Sequence, residues 1–151
     1  MAYFSYSYQA DRLGSLKKLL NSGDFADSCV VAGDGHQFRT HRAILCRVPF
    51  FQGAFNSGWK EQDEALVHLT EDRKIVRVIL DYLYDPGSII NRSPTYFKAT
   101  TLLDLCDASD KYVLGQLFRW ARGALHLKLT YIRRRCFTEQ SSAGSMVQTM
   151  T

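Results

Sequence analysis

Histidine and cysteine side chains are the groups in this sequence best suited to act as bases, nucleophiles or metal ligands. The four histidines fall in separate predicted elements, and no two of the four cysteines form the Cys-x-x-Cys pair typical of metal and redox sites. No glycine-rich phosphate loop and no convincing catalytic triad accompany them. The sequence therefore predicts no enzyme and no bound cofactor or metal. The residues concerned are His36, His41, His68, His126, Cys29, Cys46, Cys106 and Cys136.

The composition is that of one globular domain. The chain has 151 residues, of which 46% are hydrophobic and 23% are charged, so it can build a core without a disulfide framework. No apolar run approaches the ~18 residues that a membrane-spanning helix needs. The first residues have neither the basic start nor the apolar stretch of a secretory signal. We therefore expect a protein of the cytoplasm, the nucleus or both, with no membrane segment.

Positive charge is concentrated in the last third of the chain. The net charge is +4, and the segment from Lys111 to Thr138 contains seven basic residues and no acidic one. Such a segment attracts acidic partners or nucleic acid, although a solvated helix face is the simpler interpretation. Arg119 and Arg122 would share a helix face from which Lys128 is displaced, so the basic stripe is imperfect. Nucleic-acid binding is therefore the less favoured alternative.

The first quarter of the chain contains the signals of a β-hairpin that follows a helix. Residues 1–10 form an extension whose alternating aromatic residues have a strand-like period. Residues 11–22 place leucines at helical spacing before a glycine stop. Ser28–Ala32 and His36–Thr40 predict two strands, and Gly33-Asp34-Gly35 between them predicts a tight turn with positive φ angles.

A pair of short helices, a third strand and a longer helix are predicted next. Residues 41–59 form the helix pair, and Ala65–Leu69 form the strand. Asp72 is a good N-cap for a following helix with one buried stripe. Residues 86–96 collect the remaining turn signals and predict a loop.

Two more helices complete the predicted arrangement. Ala99–Ser109 forms the first, the second begins near Val113, and residues 133–151 are predicted to form a flexible tail. The first of them is expected to bury Leu102, Leu103, Leu105 and Cys106. Three strands cannot cover this many apolar helix faces, so the helices must pack largely on each other. The predicted fold class is α+β, a cluster of short helices capped by a small three-stranded sheet.

Several of these segments, in order and at about the right separations, resemble the motifs of BTB/POZ domains. The matching segments are Asp27–Val31 with Phe38–Leu45, Pro49–Phe51 with Phe55, Trp59–Glu61, Leu80–Tyr84 and Ala108–Leu117. The chain is most similar in character to short stand-alone BTB proteins of filamentous fungi. The resemblance implies the BTB/POZ fold over residues 11–132 and a role as a protein–protein interaction module.

Individual residues of these motifs have expected structural roles. His41, with one ring donor and one ring acceptor, is expected to tie strand backbone to helix backbone. Asp110 is suited to cap the helix that follows it, and Tyr84 and Tyr112 are expected to bury their rings and expose their hydroxyls. Val48 replaces a serine that is usual in the family, which weakens the cap of the next helix.

The resemblance implies a homodimer that forms through the N-terminal helix. The candidate contact residues are Leu13, Leu16, Leu19 and Leu20, more leucines than one buried stripe needs. The alternative is that all four pack on their own domain. In some family members an N-terminal strand exchanges between partners; here Phe4, Tyr6 and Tyr8 are the candidates, and ordinary disorder is the alternative.

The resemblance also implies contact with a cullin scaffold, through which many family members deliver substrates to ubiquitin ligases. A hydrophobic-x-Glu motif after the Phe-rich helix is associated with that contact, and the candidates here are Phe55, Trp59 and Glu61. The alternative places Trp59 in the core. A third family use is the recruitment of transcriptional co-repressors at a charged pocket, which Asp27 and Arg42 match; a structural salt bridge is the alternative.

The leading hypothesis is therefore a dimerising adaptor that serves a cullin-type ubiquitin ligase. A transcription co-regulator and a scaffold domain are the alternatives within the same family. A nucleic-acid binder follows, and an enzyme comes last.

Overall fold

The structure, a computed structural model, describes residues 16–56 and 65–144, and for residues 136–144 the backbone alone. The predicted extension of residues 1–10 lies outside the described residues, as do residues 145–151 of the predicted tail. Within the described part, a three-stranded sheet accompanies a larger set of helices. This confirms the α+β arrangement expected from the sequence.

The sheet has the strand order β2-β1-β3. Strand β1 (Ser28–Val31) pairs antiparallel with β2 (Gln37–Thr40), with Val30 opposite Phe38. Strand β3 (Leu66–His68) pairs parallel with β1 on the other side. The three predicted strands are therefore confirmed, and the parallel pairing requires the chain to cross from β2 to the far edge of the sheet before β3 begins.

The turn between β1 and β2 uses its two glycines for different reasons. Gly35 has a φ of 81°, as predicted for this turn, and its N–H donates to the Ala32 carbonyl over 2.8 Å. The prediction of a positive φ is wrong for Gly33. This residue lies instead against the segment after β3, where a Cβ atom would come within 2.3 Å of the Thr70 carbonyl oxygen. Its N–H donates to the Glu71 carbonyl over 2.7 Å.

The helices follow the predicted order, with one addition. They are α1 (residues 16–22), α2 (Arg42–Leu45), α3 (Pro49–Asn56), α4 (Arg73–Tyr84), α5 (Pro86–Ile90), α6 (Ala99–Lys111) and α7 (Gly115–Gly144), and a 3₁₀ turn covers Pro94–Tyr96. The prediction of a loop for residues 86–96 is wrong, because these residues include α5 and the 3₁₀ turn. Pro86 breaks α4 but suits the first position of a new helix, and the Asp85 side chain caps that helix by accepting the Ser88 N–H.

Helix α4 lies at the centre of the core. Its predicted N-cap is confirmed, because the Asp72 carboxylate accepts the N–H groups of Lys74 and Ile75 over 2.8 and 3.1 Å. Val76 and Leu80, which lie outside the predicted apolar stripe, are both fully buried. The helix therefore packs against neighbours on more than one side, which a single stripe does not predict.

Helices α6 and α7 pack on each other at the C-terminal end of the described chain. Leu102 and Leu105 of α6 are buried as predicted. The prediction that Leu103 is buried is wrong, because 51% of its surface is exposed. Helix α7 continues through residues 133–144, which the sequence assigned to the tail. This stretch contains no proline, and its first glycine is residue 144, so nothing in it interrupts a helix. Its flexibility stays a prediction.

The corner between α6 and α7 has an unusual residue in a standard motif. Val113 adopts a left-handed φ of 59° and is 68% exposed. Its N–H donates to the Asp110 carbonyl over 3.0 Å, and the next N–H, of Leu114, donates to the Ser109 carbonyl over 2.7 Å. These are the two hydrogen bonds of a Schellman motif, whose left-handed position usually holds glycine. The predicted capping role of Asp110 is wrong, because Asp110 lies inside the last turn of α6.

Candidate protein-binding surfaces

His41 joins three parts of the chain, but its ring bonds to a side-chain hydroxyl and to a carbonyl before β1 rather than to the strand and helix backbones that were predicted. It stands at the N-cap of α2, directly after β2. Its backbone N–H donates to the Tyr84 hydroxyl over 2.9 Å, its Nδ1 lies 2.7 Å from the same hydroxyl, and its Nε2 lies 2.7 Å from the Asp24 carbonyl oxygen. The side chain therefore ties the start of α2 to the end of α4 and to the segment before β1.

The partners of His41 determine which ring nitrogen carries the proton. A carbonyl oxygen can only accept, so Nε2–H donates to Asp24. The Tyr84 hydroxyl accepts the backbone N–H and donates its own proton to Nδ1. The predicted solvent-exposed hydroxyl is wrong for Tyr84, whose side chain is fully buried. Burial raises the pKa of Tyr84 to about 12; the N–H of His41 opposes this rise, and the charge of Asp27 adds to it.

The high pKa of Tyr84 predicts a loss of stability in alkali. Its folded-state pKa of about 12 lies above the unfolded value of about 10, so the folded protein holds the proton more tightly between these two pH values. The contribution of Tyr84 to the free energy of unfolding is therefore fully present below about pH 10. It falls by up to ~1.4 kcal/mol per pH unit as the pH rises towards about 12.

Urea unfolding at several pH values measures this effect against the variant Tyr84→Phe, which lacks the titrating group. The gap in free energy of unfolding between the two proteins should narrow as the pH rises above about 10. A gap that stays constant up to about pH 11 would show that Tyr84 has an ordinary pKa.

A second buried tyrosine holds the segment after β3. Tyr112 is fully buried and its hydroxyl donates to the Glu71 carboxylate, so the predicted exposed hydroxyl is wrong here too. Lys111 donates to the same carboxylate over 3.0 Å. Burial acts to raise the pKa of Glu71, but the hydrogen bonds from Tyr112 and Lys111 outweigh burial and lower it. The group is therefore a structural brace between the end of α6 and the residues before α4.

The two residues of the predicted charged pocket, Asp27 and Arg42, are adjacent, but their side chains make different contacts. The Asp27 carboxylate accepts the backbone N–H of Arg42 over 2.7 Å, which caps the start of α2. The Arg42 guanidinium lies 4.8 Å above the centre of the Phe55 ring. The geometry is thus that of a helix cap and a cation–π contact. Use of this pair as a binding pocket stays a prediction.

The leucines of the predicted dimer surface differ in their burial. Leu20 is 6% exposed and belongs to the core of its own domain. Leu16 is partly buried against the same core, and Leu19 is partly buried. Leu13 lies outside the described residues. Leu16 and Leu19 therefore keep some apolar surface that a second chain could cover.

Of the predicted cullin contacts, the structure describes Phe55 alone. Phe55 is 1% exposed and belongs to the core, so it anchors the last turn of α3 from within. Trp59 and Glu61 lie outside the described residues, and their contact role stays a prediction. Phe51 is also fully buried, and its ring stacks on that of Tyr112. The end of α3, from which the motif follows, is therefore fixed in position.

A cleft that the sequence did not reveal lies beside the α6–α7 corner. Its volume is about 310 Å³, and its lining comes from the α2–α3 link, the α4–α5 junction and the corner itself. The one sequence signal for it is the apolar pair Val113-Leu114 at the predicted start of the last helix, where polar capping residues are usual. The three segments are far apart in the chain, so their meeting could not be read from local patterns.

The basic segment on α7 does not act as one surface. Arg119, Arg122 and His126 line a shallow groove on one face of the helix. The Lys128 ammonium, in contrast, donates to the carbonyl oxygens of Thr95 and Phe97 and so holds the 3₁₀ turn against α7. The displacement of Lys128 expected from helical spacing is confirmed.

Across residues 16–56 and 65–144, no group of three or more His, Cys, Asp or Glu side chains could hold a metal ion. Within the same residues, no helix has the length and apolar character to cross a membrane.

The chain is similar to a protein-family model and to several known proteins. The family model described as BTB/POZ domain matches residues 16–127. The mouse "TD and POZ domain-containing protein 5" is 31% identical over 107 residues, which are 68% of this chain and 29% of that protein. The human "Inhibitor of Bruton tyrosine kinase" is 31% identical over 100 residues, which are 64% of this chain and 7% of that protein. The chain thus covers less than a third of either relative.

Two solved structures share the arrangement of strands and helices. The BTB domain of zebrafish PATZ1 aligns with a TM-score of 0.63 and 18% identity, covering 81% of this chain and 94% of that one. The BTB domain of human Gigaxonin aligns with a TM-score of 0.60 and 24% identity, covering 77% and 89%. At these identities the likeness is one of fold.

Proposed function

The chain belongs to the BTB/POZ domain family, and we propose that it is a dimerising adaptor that binds a cullin scaffold and thereby serves a ubiquitin ligase. Domains of this family are protein–protein interaction modules. The proposal assigns the chain no catalytic activity. As an adaptor it would work in the cytoplasm, the nucleus or both.

The observation that best supports the cullin contact is the fixed end of α3. Phe51 and Phe55 are buried in the core, so the chain leaves α3 at Asn56 from a well-defined position. The hydrophobic-x-Glu motif of Trp59 and Glu61 follows within a few residues. Tryptophan is enriched among the few residues that dominate the binding energy of an interface. We assign Trp59 the role of anchor and Glu61 that of its polar neighbour.

The dimer contact is assigned to α1. Leu16 and Leu19 are partly buried within one chain, and a second copy of α1 would complete their burial. Each CH₂ group removed from water contributes about 0.8 kcal/mol. Leu13 is assigned to the same surface from its spacing, and Leu20 supports it from below as a core residue. A dimer presents two cullin contacts and so increases the avidity of the adaptor.

The alternatives have less support from the described contacts. A co-regulator pocket at Asp27 and Arg42 would use a carboxylate that already caps α2 and a guanidinium that already lies on Phe55. A nucleic-acid surface on α7 would lack Lys128, whose ammonium is bound to backbone carbonyls. A scaffold protein would use the same dimer contact as an adaptor. Cullin binding distinguishes the two roles, because only the adaptor requires it.

The test combines light scattering over a concentration series with addition of a cullin N-terminal domain. We expect the mass of a dimer and a shift to a larger complex when the cullin is added. The variant Trp59→Ala/Glu61→Ala should abolish the shift and leave the dimer intact. The control variant Lys60→Ala changes the central position of the motif and should bind normally. A monomer that ignores the cullin would exclude the adaptor proposal.

A further inference from the structure

The cleft beside the α6–α7 corner has the size and lining of a small peptide-binding site. Its volume of about 310 Å³ lies at the lower end of the range for ligand pockets, about 300–1,000 Å³. That space is enough for a few side chains of a bound segment rather than for a large cofactor. The walls are mainly apolar and include Ile44, Val48, Pro49 and Leu83.

Val113 forms an exposed apolar wall of this cleft at a conformational cost. It is β-branched, has a φ of 59° and is 68% exposed. A branched residue in this left-handed region is strained, whereas glycine adopts the region freely. The internal packing of the domain does not require a valine at such an exposed position. Strain that the fold itself does not need is typical of functional sites.

Positive charge lies at the same cleft. Arg47 is one of the lining residues and is exposed. Arg119 follows one turn after Gln116, another lining residue, on α7. Burial raises the pKa of Tyr82, which also lines the cleft, while the charges of Arg119 and Arg47 oppose that rise. Among the described lining residues none is acidic.

We propose that this cleft binds an acidic segment of a partner protein, with an apolar side chain against Val113 and a carboxylate held by Arg47 and Arg119. Guanidinium groups suit carboxylates because they can donate two parallel hydrogen bonds. The positive charge continues along α7 with Arg122, one turn beyond Arg119.

A protein segment fits the cleft better than nucleic acid does. Apolar walls of this kind offer nothing to a phosphate backbone, and the one aromatic lining residue, Tyr82, is buried and offers no exposed face on which successive bases could stack. A segment that alternates apolar and acidic side chains satisfies both the walls and the arginines. The proposal goes beyond the adaptor role and is independent of the dimer and cullin contacts, which use other residues.

Fluorescence anisotropy with short labelled peptides tests this proposal on the full chain. The probes carry Leu or Phe between acidic residues, and matched peptides carry Gln in place of each acid. We expect the acidic peptides to bind and the Gln peptides to fail. Arg47→Gln and Arg119→Gln should each weaken binding by about tenfold, whereas Arg73→Gln, which changes an arginine paired with Asp34 at the hairpin turn, should have no effect.

Val113→Gly separates a binding role from a structural one. It should raise the unfolding temperature, because glycine relieves the strained φ, and it should weaken peptide binding, because the apolar wall is lost. A purely structural role for this corner would leave binding unchanged. Equal binding of acidic and Gln peptides, no binding of either, or full binding by both arginine variants would each overturn the proposal. A short DNA duplex that displaces the peptides from Arg47 and Arg119 would overturn the choice of a protein partner.

Discussion

Tyr84→Phe is expected to lower the free energy of unfolding by about 3 kcal/mol, although the change removes a single oxygen atom. The hydroxyl accepts the His41 backbone N–H and donates to His41 Nδ1, with distances of 2.9 and 2.7 Å. Without it, two buried polar groups of His41 lose their partner. Each unsatisfied buried group costs about 1–3 kcal/mol, more than the hydrogen bond itself contributes.

Tyr82→Phe is the matched control for this prediction, because it makes the same chemical change two residues earlier on α4. The Tyr82 hydroxyl makes a long contact of 3.5 Å to the Gln116 side chain, and Gln116 is exposed, so water can replace it. We expect a loss below about 1 kcal/mol. Urea denaturation of the two variants measures the difference, and equal losses would contradict the central role given to the His41–Tyr84 pair.

Gly33→Ala is expected to destabilise the protein by about 3 kcal/mol through a clash between two backbone segments. The added Cβ would lie 2.3 Å from the Thr70 carbonyl oxygen and 2.8 Å from the Thr70 carbonyl carbon. Neither atom belongs to a flexible side chain that could turn away. The hairpin must therefore move from the segment after β3, which also breaks the 2.7 Å hydrogen bond from the Gly33 N–H to Glu71.

Gly123→Ala provides the opposite expectation with the same substitution. A Cβ at Gly123 meets no heavy atom within 4 Å, and the residue lies inside α7. Alanine should stabilise the helix by about 0.5–1 kcal/mol, because glycine loses more conformational freedom on folding. Chemical denaturation midpoints compare the two variants. A Gly33→Ala protein as stable as the wild type would show that the backbone of the hairpin is not in close contact with that of Thr70.

The family resemblance and the principal elements were predictable because their signals are local. Asp72 caps α4 through N–H groups two and three residues away, and Gly35 closes a turn within a few residues. Such signals act over one turn of helix or one hairpin, so both the signal and its partners lie within one short segment of the sequence. His41 differs, because its place between strand and helix was visible in the sequence but its partners, Tyr84 and Asp24, are 43 and 17 residues away.

One error concerned local signals: the loop prediction treats Pro86 only as the residue that breaks α4, although it also suits the first position of a helix that Asp85 caps. The other errors have a different physical cause. Leu103 looked buried because it is apolar, but its exposure depends on which side of α6 meets α7. The hydroxyls of Tyr84 and Tyr112 looked exposed because their partners, His41 and Glu71, are more than 40 residues away.

The sequence by itself determined the three strands and most of the helices of the described chain, their order and the family resemblance, because helical and strand periods, caps and turn residues all lie within short segments. The tertiary structure alone decided which groups meet across the chain. The contact of Gly33 with Thr70, the bond of Tyr84 to His41 and the cleft beside Val113 each join segments far apart in sequence. Those contacts depend on how the elements pack, and packing is a property of the whole core rather than of any one segment.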